Sequence, residues 1–354
     1  EAGGMMRYGI PSYRLPREVL DSEIEAVRST GVEIRTGAPV ASVDPLLEEG
    51  FEAVVVAVGA RKSRKQDIPG KDCEGVTTCV DFLWGVNQGA AVPVGRHVIV
   101  LGGGNAAFDC ARVARRLGAE QVHLACIEGR GDIPASPEEI RQAEEEGIFI
   151  HPSKTATRIL DASGKAVGIE LAAVDAFHFE EDGTLQLEVF EGAGSRIEAD
   201  TIIFAIGQKP ELPESFDLVT DRNDRIEVDP YTGETSRGGV YAAGDVISGA
   251  GALIGAIASG RKCAVAVDRF LDGDGNLDEV LAPLEETPPY LGPDKEFAPM
   301  DRREAACTPP EQRISGFCKI VQDLGDAEAD YESSRCLQCD LRLKIATVKV
   351  WGSY

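Results

Sequence analysis

HVIVLGGGNAA, residues 97–107, is the stretch that decides the fold. A short apolar run ends in Gly102-x-Gly104-x-x-Ala107 and continues into the helical pattern FDCARVARRLG. In this context the first glycine allows a tight turn, the second lets the backbone approach a pyrophosphate, and Ala107 lets helix and strand pack closely. The start of the helix offers unsatisfied N–H groups to the phosphates. The motif predicts a dinucleotide-binding loop formed by Gly102, Gly103, Gly104, Asn105, Ala106 and Ala107.

The composition argues against several functional classes. Lys and Arg total 36 against 60 Asp and Glu, so the formal net charge is −24. Nucleic acid and anionic membranes attract basic surfaces, so neither is an expected partner. No apolar stretch approaches the ~20 residues that span a bilayer, and no signal peptide is recognisable. Nine cysteines without a disulfide pattern fit a reducing compartment, so we expect a cytoplasmic protein. At 354 residues the chain is long enough for two or three domains.

Apolar periodicity predicts the other elements of the chain. Residues 132–147 indicate a loop and a helix with Ser136 as N-cap and Pro137 at the first helical position. Residues 150–200 show short alternating segments, which predict a small antiparallel meander. The remaining pattern predicts helices at 16–31, 105–117 and 252–270 and strands at 32–37, 51–60, 97–101, 121–127 and within 199–211 and 238–245.

Several longer motifs together resemble a known family. Two strand segments that end in Ala-x-Gly flank the glycine-rich unit, and GGVYAAGD follows, as in flavoproteins whose nicotinamide domain is inserted into an FAD domain. The whole pattern resembles the small (beta) subunit class of glutamate synthase and its relatives. The segments that carry this resemblance are GGMMRYGIPSYRLPREVLDSEI, GGGNAAFDCARVARRLGA, DIPASPEEIRQAEEEGI and SSRCLQCDLRL.

The resemblance implies an α/β fold with two Rossmann-like dinucleotide-binding domains and an irregular C-terminal extension. Its implied division is a first FAD segment at 1–92, an NAD(P)H domain with the meander at 93–199, a second FAD segment at 200–272 and the extension at 273–354. Family members carry a first β-α-β unit before GGxxxYGIP, and this sequence begins after it. We therefore expect a fragment with an incomplete FAD domain, and the alternative is that a neighbouring chain supplies the missing half-site.

The resemblance also assigns residues to the flavin. Gly244 and Asp245 match a glycine–aspartate pair that contacts the ribityl–pyrophosphate region, although Asp245 could alternatively be only a helix cap. The next helix begins at Ala252 and Leu253 and would direct its positive end toward the flavin. The resemblance implies two further cofactor contacts, at Gly207 after the second Ala-x-Gly segment and, near the isoalloxazine, at Gly9, Ile10 and Pro11.

The end of the second nicotinamide strand bears on the choice of cofactor. Glu128 lies about 20 residues beyond Ala107, where an acid accepts a hydrogen bond from the ribose 2′-OH and repels a 2′-phosphate. Many members of the family have paired arginines at this turn and use NADPH, whereas CIEGRGD has only Arg130. We expect NADH as the first choice and NADPH as the second, the alternative being that Glu128 is simply solvated.

The cysteines raise two separate questions. Cys336-x-x-Cys339 has a spacing that can ligate an Fe–S cluster or zinc, but two ligands do not complete a site, so a metal and a non-metal role both stay open. Cys110 and Cys126 are isolated and are predicted to be buried apolar residues. Without a Cys-x-x-Cys in the nicotinamide domain, a disulfide reductase is disfavoured.

These observations predict an NAD(P)H-dependent flavin oxidoreductase. We expect it to pass hydride to FAD and electrons singly to an Fe–S or flavin acceptor subunit within a hetero-oligomeric complex. No catalytic acid or base is expected, because direct hydride transfer requires mainly that the rings be positioned. The alternative is a non-catalytic nucleotide-binding or docking module without bound flavin.

Overall fold

The computed structural model describes residues 1–180, 185–190, 192, 194–277 and 300–335. The chain divides into a first unit, Glu1–Asn276 with Pro310–Cys318, and a second unit, Leu277–Pro309 with Lys319–Tyr354. In chain order, the helices of the described residues are α1 Gly4–Tyr8, α2 Arg17–Ser29, α3 Asp44–Glu48, α4 Cys79–Asn87, α5 Asn105–Arg116, α6 Pro137–Glu145, α7 Asp245–Ser248, α8 Leu253–Phe270, α9 Pro310–Arg313 and α10 Asp326–Ser334.

The strands follow the same order along the chain. They are β1 Val54–Val56, β2 Lys62–Ser63, β3 Val76–Thr78, β4 His97–Leu101, β5 Gln121–Ala125, β6 Phe149–His151, β7 Lys154–Ala162, β8 Lys165–Phe179, β9 Leu185–Val189, β10 Ser195–Glu198, β11 Thr201–Phe204, β12 Gln208–Lys209 and β13 Val240–Ala242. The second unit contains α10 and a short antiparallel bridge between Cys307 and Val321.

A parallel sheet forms the centre of the first unit. Its strand order is β3-β11-β4-β5-β6, and every neighbouring pair is parallel. The four residues of β11 are all buried, as is β4 after His97. Continuous apolar runs of this kind are typical of parallel strands covered on both faces. The predicted β-α-β unit is thus confirmed, with α5 packed on β4 and β5.

The predicted meander is also confirmed. Strands β10, β8 and β7 are antiparallel in that order, and β9 pairs with the far end of β8. Its apolar side chains join those of the parallel sheet in one core, which includes Ile99, Ile202, Phe204, Ile159 and Leu171. The meander therefore covers one face of the parallel sheet.

A second, smaller parallel pair lies outside this sheet. Val55 of β1 is in register with Tyr241 of β13, and α8 packs against β13. The predicted strand at 51–60 is thus shorter than expected, because only Val54–Val56 find a partner strand. The α/β class is confirmed, with strand–glycine–helix units at the ends of both β4 and β13.

Two differences from the sequence expectations concern strand pairing. Residues 32–37 do not form the predicted strand, because no described residue pairs with them, and a strand is defined by its neighbour. The predicted boundaries at 92/93 and 199/200 assign β3 and β11 to the flanking segments, whereas their hydrogen bonds place both strands in the same sheet as β4. Among the residues described here, no helix is long and apolar enough to cross a membrane.

Candidate functional site

The loop between β4 and α5 has the backbone geometry that its glycines predict. Gly102 has φ of 137°, a backbone conformation that residues with a side chain rarely adopt. A Cβ at this position would overlap the carbonyl oxygen of Ala205, which follows β11. Its amide donates to the carbonyl of Ala125 at 2.8 Å. Gly102 therefore lets the chain turn while touching both neighbouring strand ends.

The next two glycines differ in their surroundings. A Cβ on Gly103 would lie 2.7 Å from Glu128 Oε2, so the acid side chain lies directly against the loop. Gly104 faces open space and is the N-cap of α5, with no side chain capping the helix. Uncapped helix N–H groups beside an open cradle fit a pyrophosphate. Ala107 is completely buried, as the predicted close packing requires.

Asn105 and Ala106 form the first turn of the same helix. The side-chain oxygen of Asn105 accepts a 3.0 Å hydrogen bond from the Ser136 amide, which connects the loop to the start of α6. Ser136 caps α6 as predicted, with its hydroxyl accepting from the Glu139 amide at 3.2 Å. The glycine-rich loop is therefore held by hydrogen bonds with both β5 and the start of α6.

Glu128 carries an acceptor whose hydrogen-bonding capacity is unused within the described residues. Its Oε2 atom is buried and has no hydrogen-bond partner. A buried acceptor left without a donor costs about 1–3 kcal/mol, so this oxygen is an energetically unfavourable feature of the unliganded site. Arg130 forms an ion pair with Glu144 at 2.6 Å, and both side chains are half exposed. Beside the glycine-rich loop, the Glu128 carboxylate therefore has an unpaired oxygen, while Arg130 is paired with a different acid.

Gly207 lies at the same edge of the sheet. It follows β11 with φ of 104°, and its carbonyl accepts from the Arg64 amide at 2.9 Å. The carboxyl ends of neighbouring parallel strands meet at one edge, where ligands bind in open α/β sheets. Gly207 therefore follows a strand that ends at the same edge of the sheet as the glycine-rich loop.

A second cluster forms at the end of β13. Gly244 has φ of 77° and donates to Ser259 Oγ of α8 at 3.0 Å, which holds the turn against that helix. Asp245 is half-buried, and burial raises the pKa of its carboxyl, while a hydrogen bond from the Gly251 amide opposes this. Ala252 is the N-cap of α8 without a side-chain cap, and Leu253 and Ile254 beside it are largely exposed.

The predicted flavin-side residues Gly9, Ile10 and Pro11 belong to neither cluster by hydrogen bonding. Asn87 Nδ2 on α4 donates to the carbonyls of Tyr8 at 2.7 Å and Ile10 at 3.3 Å. The Tyr8 ring stacks on Trp84 with centroids 4.1 Å apart and planes 7° apart. This segment is therefore fixed against α4.

A buried ionic network on α5 escaped the sequence reasoning. Arg112 and Arg116 both donate to Glu146, at 2.8 Å and 2.6 Å, and the three side chains are fully buried. Arg112 also pairs with Glu139 of α6, and Asp109 binds Arg14 at 2.8 Å. The available signal was the placement of Asp109, Arg112 and Arg116 on the apolar face of a helix.

The cysteines and histidines hold no metal-type cluster in the part of the chain that is described. Cys110 and Cys126 are buried as predicted, and burial raises the pKa of both thiols. The described residues contain no group of three or more His, Cys, Asp or Glu able to hold a metal, while Cys336 and Cys339 lie outside them. His123 Nδ1 and His151 Nε2, which the sequence did not pair, lie 2.9 Å apart.

Comparison with known proteins places this geometry in context. The family model of pyridine nucleotide-disulphide oxidoreductases matches residues 18–260. The beta subunit of NADP(+)-dependent formate dehydrogenase from Moorella thermoacetica is 32% identical over 96% of this chain and 50% of its own length. The small chain of glutamate synthase [NADPH] from Azospirillum brasilense is 33% identical over 76% of this chain and 59% of its own. The chain thus spans little more than half the length of these relatives.

A solved structure confirms the fold. FprA from Mycobacterium tuberculosis, in complex with NADPH, aligns with a TM-score of 0.60 over 94% of this chain and 81% of its own, at 17% identity. The similarity to the glutamate synthase small chain bears out the resemblance inferred from the motifs. The chain belongs to the pyridine nucleotide-disulphide oxidoreductase family.

Proposed function

We propose that this chain is the dinucleotide-handling part of a flavoprotein electron-transfer oxidoreductase, taking hydride from NAD(P)H to FAD and passing electrons to an Fe–S or flavin partner subunit. The observation that carries the proposal is the presence of two strand–glycine–helix clusters, at Gly102–Ala107 and at Gly244–Leu253, each with an uncapped helix start. The relatives named above are a beta subunit and a small chain, which supports a hetero-oligomeric complex.

The first cluster is proposed as the nicotinamide dinucleotide site. The amides at the start of α5 would bind the pyrophosphate beside Gly104, where the structure leaves open space. The unpaired Oε2 of Glu128 would accept a hydrogen bond from the adenosine ribose. A 2′-phosphate at that point would meet the carboxylate, so NADH is the proposed donor with NADPH second, even though the names of several relatives specify NADPH.

The second cluster is proposed to hold part of the FAD. When bound, the flavin supplies a two-electron acceptor that can release electrons one at a time. The Gly244 turn and the half-buried Asp245 carboxylate would contact its polar linker, and the start of α8 would stabilise negative charge on the ring. Exposed Leu253 and Ile254 offer apolar surface to the ring itself.

Further parts of the proposal extend beyond these two clusters. The NAD(P)H domain is proposed at 93–199 between FAD segments 1–92 and 200–272, with β3 and β11 completing its sheet. An Fe–S cluster is proposed on Cys336 and Cys339 or in the partner, to be tested by iron and sulfide analysis of Cys336→Ser and Cys339→Ser. A cytoplasmic location is supported by the cysteines of the described residues, which are all free thiols.

Substitution of Glu128 tests the nicotinamide assignment. Glu128→Gln removes the negative charge and keeps the shape, so affinity for NADPH relative to NADH should rise about tenfold or more, since a hydrogen bond to a charged group is worth about 1.5–3 kcal/mol. Calorimetric titration of both dinucleotides measures this without flavin chemistry. Glu120→Gln is the matched control, because it neutralises an exposed acid at the opposite end of β5 and leaves the ion pair of Arg130 intact. An unchanged affinity ratio would refute the role of Glu128.

Reconstitution with FAD tests the flavin assignment. The purified chain should take up FAD and show absorbance near 450 nm that NADH bleaches under anaerobic conditions. Asp245→Asn should weaken FAD retention and leave NADH binding unchanged. A colourless protein that still binds NADH would instead favour the non-catalytic nucleotide-binding module.

A further inference from the structure

The helix that begins at the dinucleotide loop buries charged side chains. Asp109, Arg112 and Arg116 of α5 are each less than a tenth exposed. Charged residues are rarely buried unless they are paired, and here the partners come from α6 and from the segment that precedes α2. The first turn of α5 belongs to the glycine-rich loop region, and the later turns of the same helix carry these charged side chains.

Asp109 connects α5 to the N-terminal segment. Its carboxylate accepts from Arg14 Nη1 at 2.8 Å and from the Tyr13 hydroxyl at 3.3 Å. The buried Tyr13 ring lies beneath the Arg116 guanidinium at 4.2 Å, a cation–π contact. Arg14 also reaches Glu139 of α6 at 3.3 Å. Residues 13 and 14 are therefore anchored to the dinucleotide helix.

The other end of the same segment is anchored to α4. Tyr8 stacks on Trp84, and Asn87 Nδ2 binds the carbonyls of Tyr8 and Ile10. Between the two anchors lie Gly9, Ile10 and Pro11, the residues expected beside the isoalloxazine. Only a few residues of chain separate the anchors from these three, so a shift at either anchor has a short path to them, and the Arg17 guanidinium also holds the segment by donating to the Ile10 carbonyl at 2.9 Å.

We propose that Asp109 is a positioning residue for the flavin-side segment, holding Arg14 and Tyr13 so that residues 8–11 keep one arrangement relative to the dinucleotide helix. The proposal rests on the proposed function for the role of residues 9–11 beside the flavin. Asp109 touches neither dinucleotide nor flavin in this assignment, so its effect on hydride transfer is indirect. Asp109 acts on this segment through its hydrogen bonds to Arg14 and Tyr13.

The contact between Asp109 and Arg14 can be tested by changing the charge of Asp109 with pH. Burial raises the pKa of its carboxyl to about 6, against the opposing effect of Arg14. The charged and titratable groups around it are Tyr13 and Arg14 of the N-terminal segment, Cys110 and Arg112 of α5 and Glu139 of α6. Protonation neutralises the acceptor of Arg14 and so loosens the anchor. Because the pKa of Asp109 is raised in the folded state, protonating this carboxyl stabilises the folded state relative to the unfolded chain. The loosening of the anchor is therefore a local change and is distinct from acid unfolding.

Trp84 emission reports the anchor without any cofactor. The chain has two tryptophans, and Trp351→Phe leaves Trp84 as the single emitter. In that background, emission should change between pH 8 and pH 5 with a midpoint near 6. Asp109→Asn should show the acid-form emission throughout and no transition. The same transition in Asp109→Asn, or no change in the parent, would overturn the proposal, and histidine titration is controlled because both proteins retain every histidine.

The flavin-reconstituted protein gives a second readout. Asp109→Asn should slow flavin reduction by NADH about ten- to a hundredfold while the Kd for NADH stays within twofold, since small misplacements of reacting groups are costly. Glu145→Gln on α6 is the control that neutralises an acid outside this contact. If Asp109→Asn does not fold by circular dichroism, Arg14→Gln removes the same ion pair from its more exposed side.

The two hypotheses fail in distinguishable ways. A parent protein that shows no flavin reduction contradicts the proposed function, whereas the Trp84 titration still reports on Asp109. Equal reduction rates in the parent and in Asp109→Asn contradict the positioning role and leave the proposed function intact. Tyr13→Phe keeps the ring and loses one hydrogen bond, so an effect smaller than that of Asp109→Asn supports the assignment and a larger one contradicts it.

Discussion

Removing the charge of Glu146 should destabilise the first unit strongly. Its side chain is completely buried and accepts from Arg112 Nη2 at 2.8 Å and from Arg116 Nη1 and Nη2 at 2.6 Å and 3.0 Å. Burial alone would raise the pKa of Glu146, but these guanidinium groups lower it, so the group is ionised at neutral pH. Glu146→Gln leaves two buried cations with one fewer anion. Breaking a buried ion pair in this way costs about 3–5 kcal/mol.

The assay is chemical denaturation in urea at pH 7, followed by circular dichroism and by tryptophan emission, since coincident curves are needed for a two-state free energy. Glu144→Gln is the matched control two residues earlier. Its side chain is 48% exposed and pairs with the equally exposed Arg130, so its removal should cost about 1 kcal/mol or less. A loss below about 1 kcal/mol in Glu146→Gln, or equal losses in the two variants, would refute the argument.

Two further outcomes are expected. Gly102→Ala should abolish NADH binding and destabilise the sheet, because φ is positive at this position and the new Cβ would overlap the Ala205 carbonyl oxygen. Gly104→Ala should weaken dinucleotide binding and leave the fold intact, because no atom lies near its Cβ. Thermal unfolding of the two variants measures the difference in stability. The pKa of His123 is lowered to about 4 by burial and by the nearby His151. The unfolding free energy should therefore fall as the pH drops from about 6.5 toward 4, less steeply in His123→Gln, and parallel curves for the two proteins would contradict this.

The parts of the fold that could be predicted from the sequence are those fixed by local chemistry. The spacing of Gly102, Gly104 and Ala107 specifies a turn between a strand and a helix, and Ser136 with Pro137 specifies a helix start within a few residues. The structure confirms both. Each is specified by residues that are close together in the sequence, so neither depends on contacts with a distant segment. The expected strand at 32–37 is absent because a strand requires a partner, and no local pattern supplies one.

The parts that escaped prediction depend on distant segments. Asp109 binds Arg14 and Tyr13, which precede it by 95 and 96 residues, so the helix sequence alone showed only an unusual charge on an apolar face. The pairing of His123 with His151 depends on β5 and β6 being neighbours in the sheet. Glu128 was predicted from its distance along the chain, but the lack of a partner for Oε2 could be seen only in three dimensions.

The position of β11 has a consequence for how the chain is made. This strand lies between β3 and β4, yet it is synthesised roughly 100 residues after β4, which takes on the order of ten seconds on a ribosome. Until then the facing edges of β3 and β4 are unpaired, and such edges recruit other chains. A nascent chain that stops before Thr201 contains the complete glycine-rich loop and still lacks the strand that joins the halves of its sheet. The topology therefore leaves two strand edges open to association with other chains for that interval of synthesis.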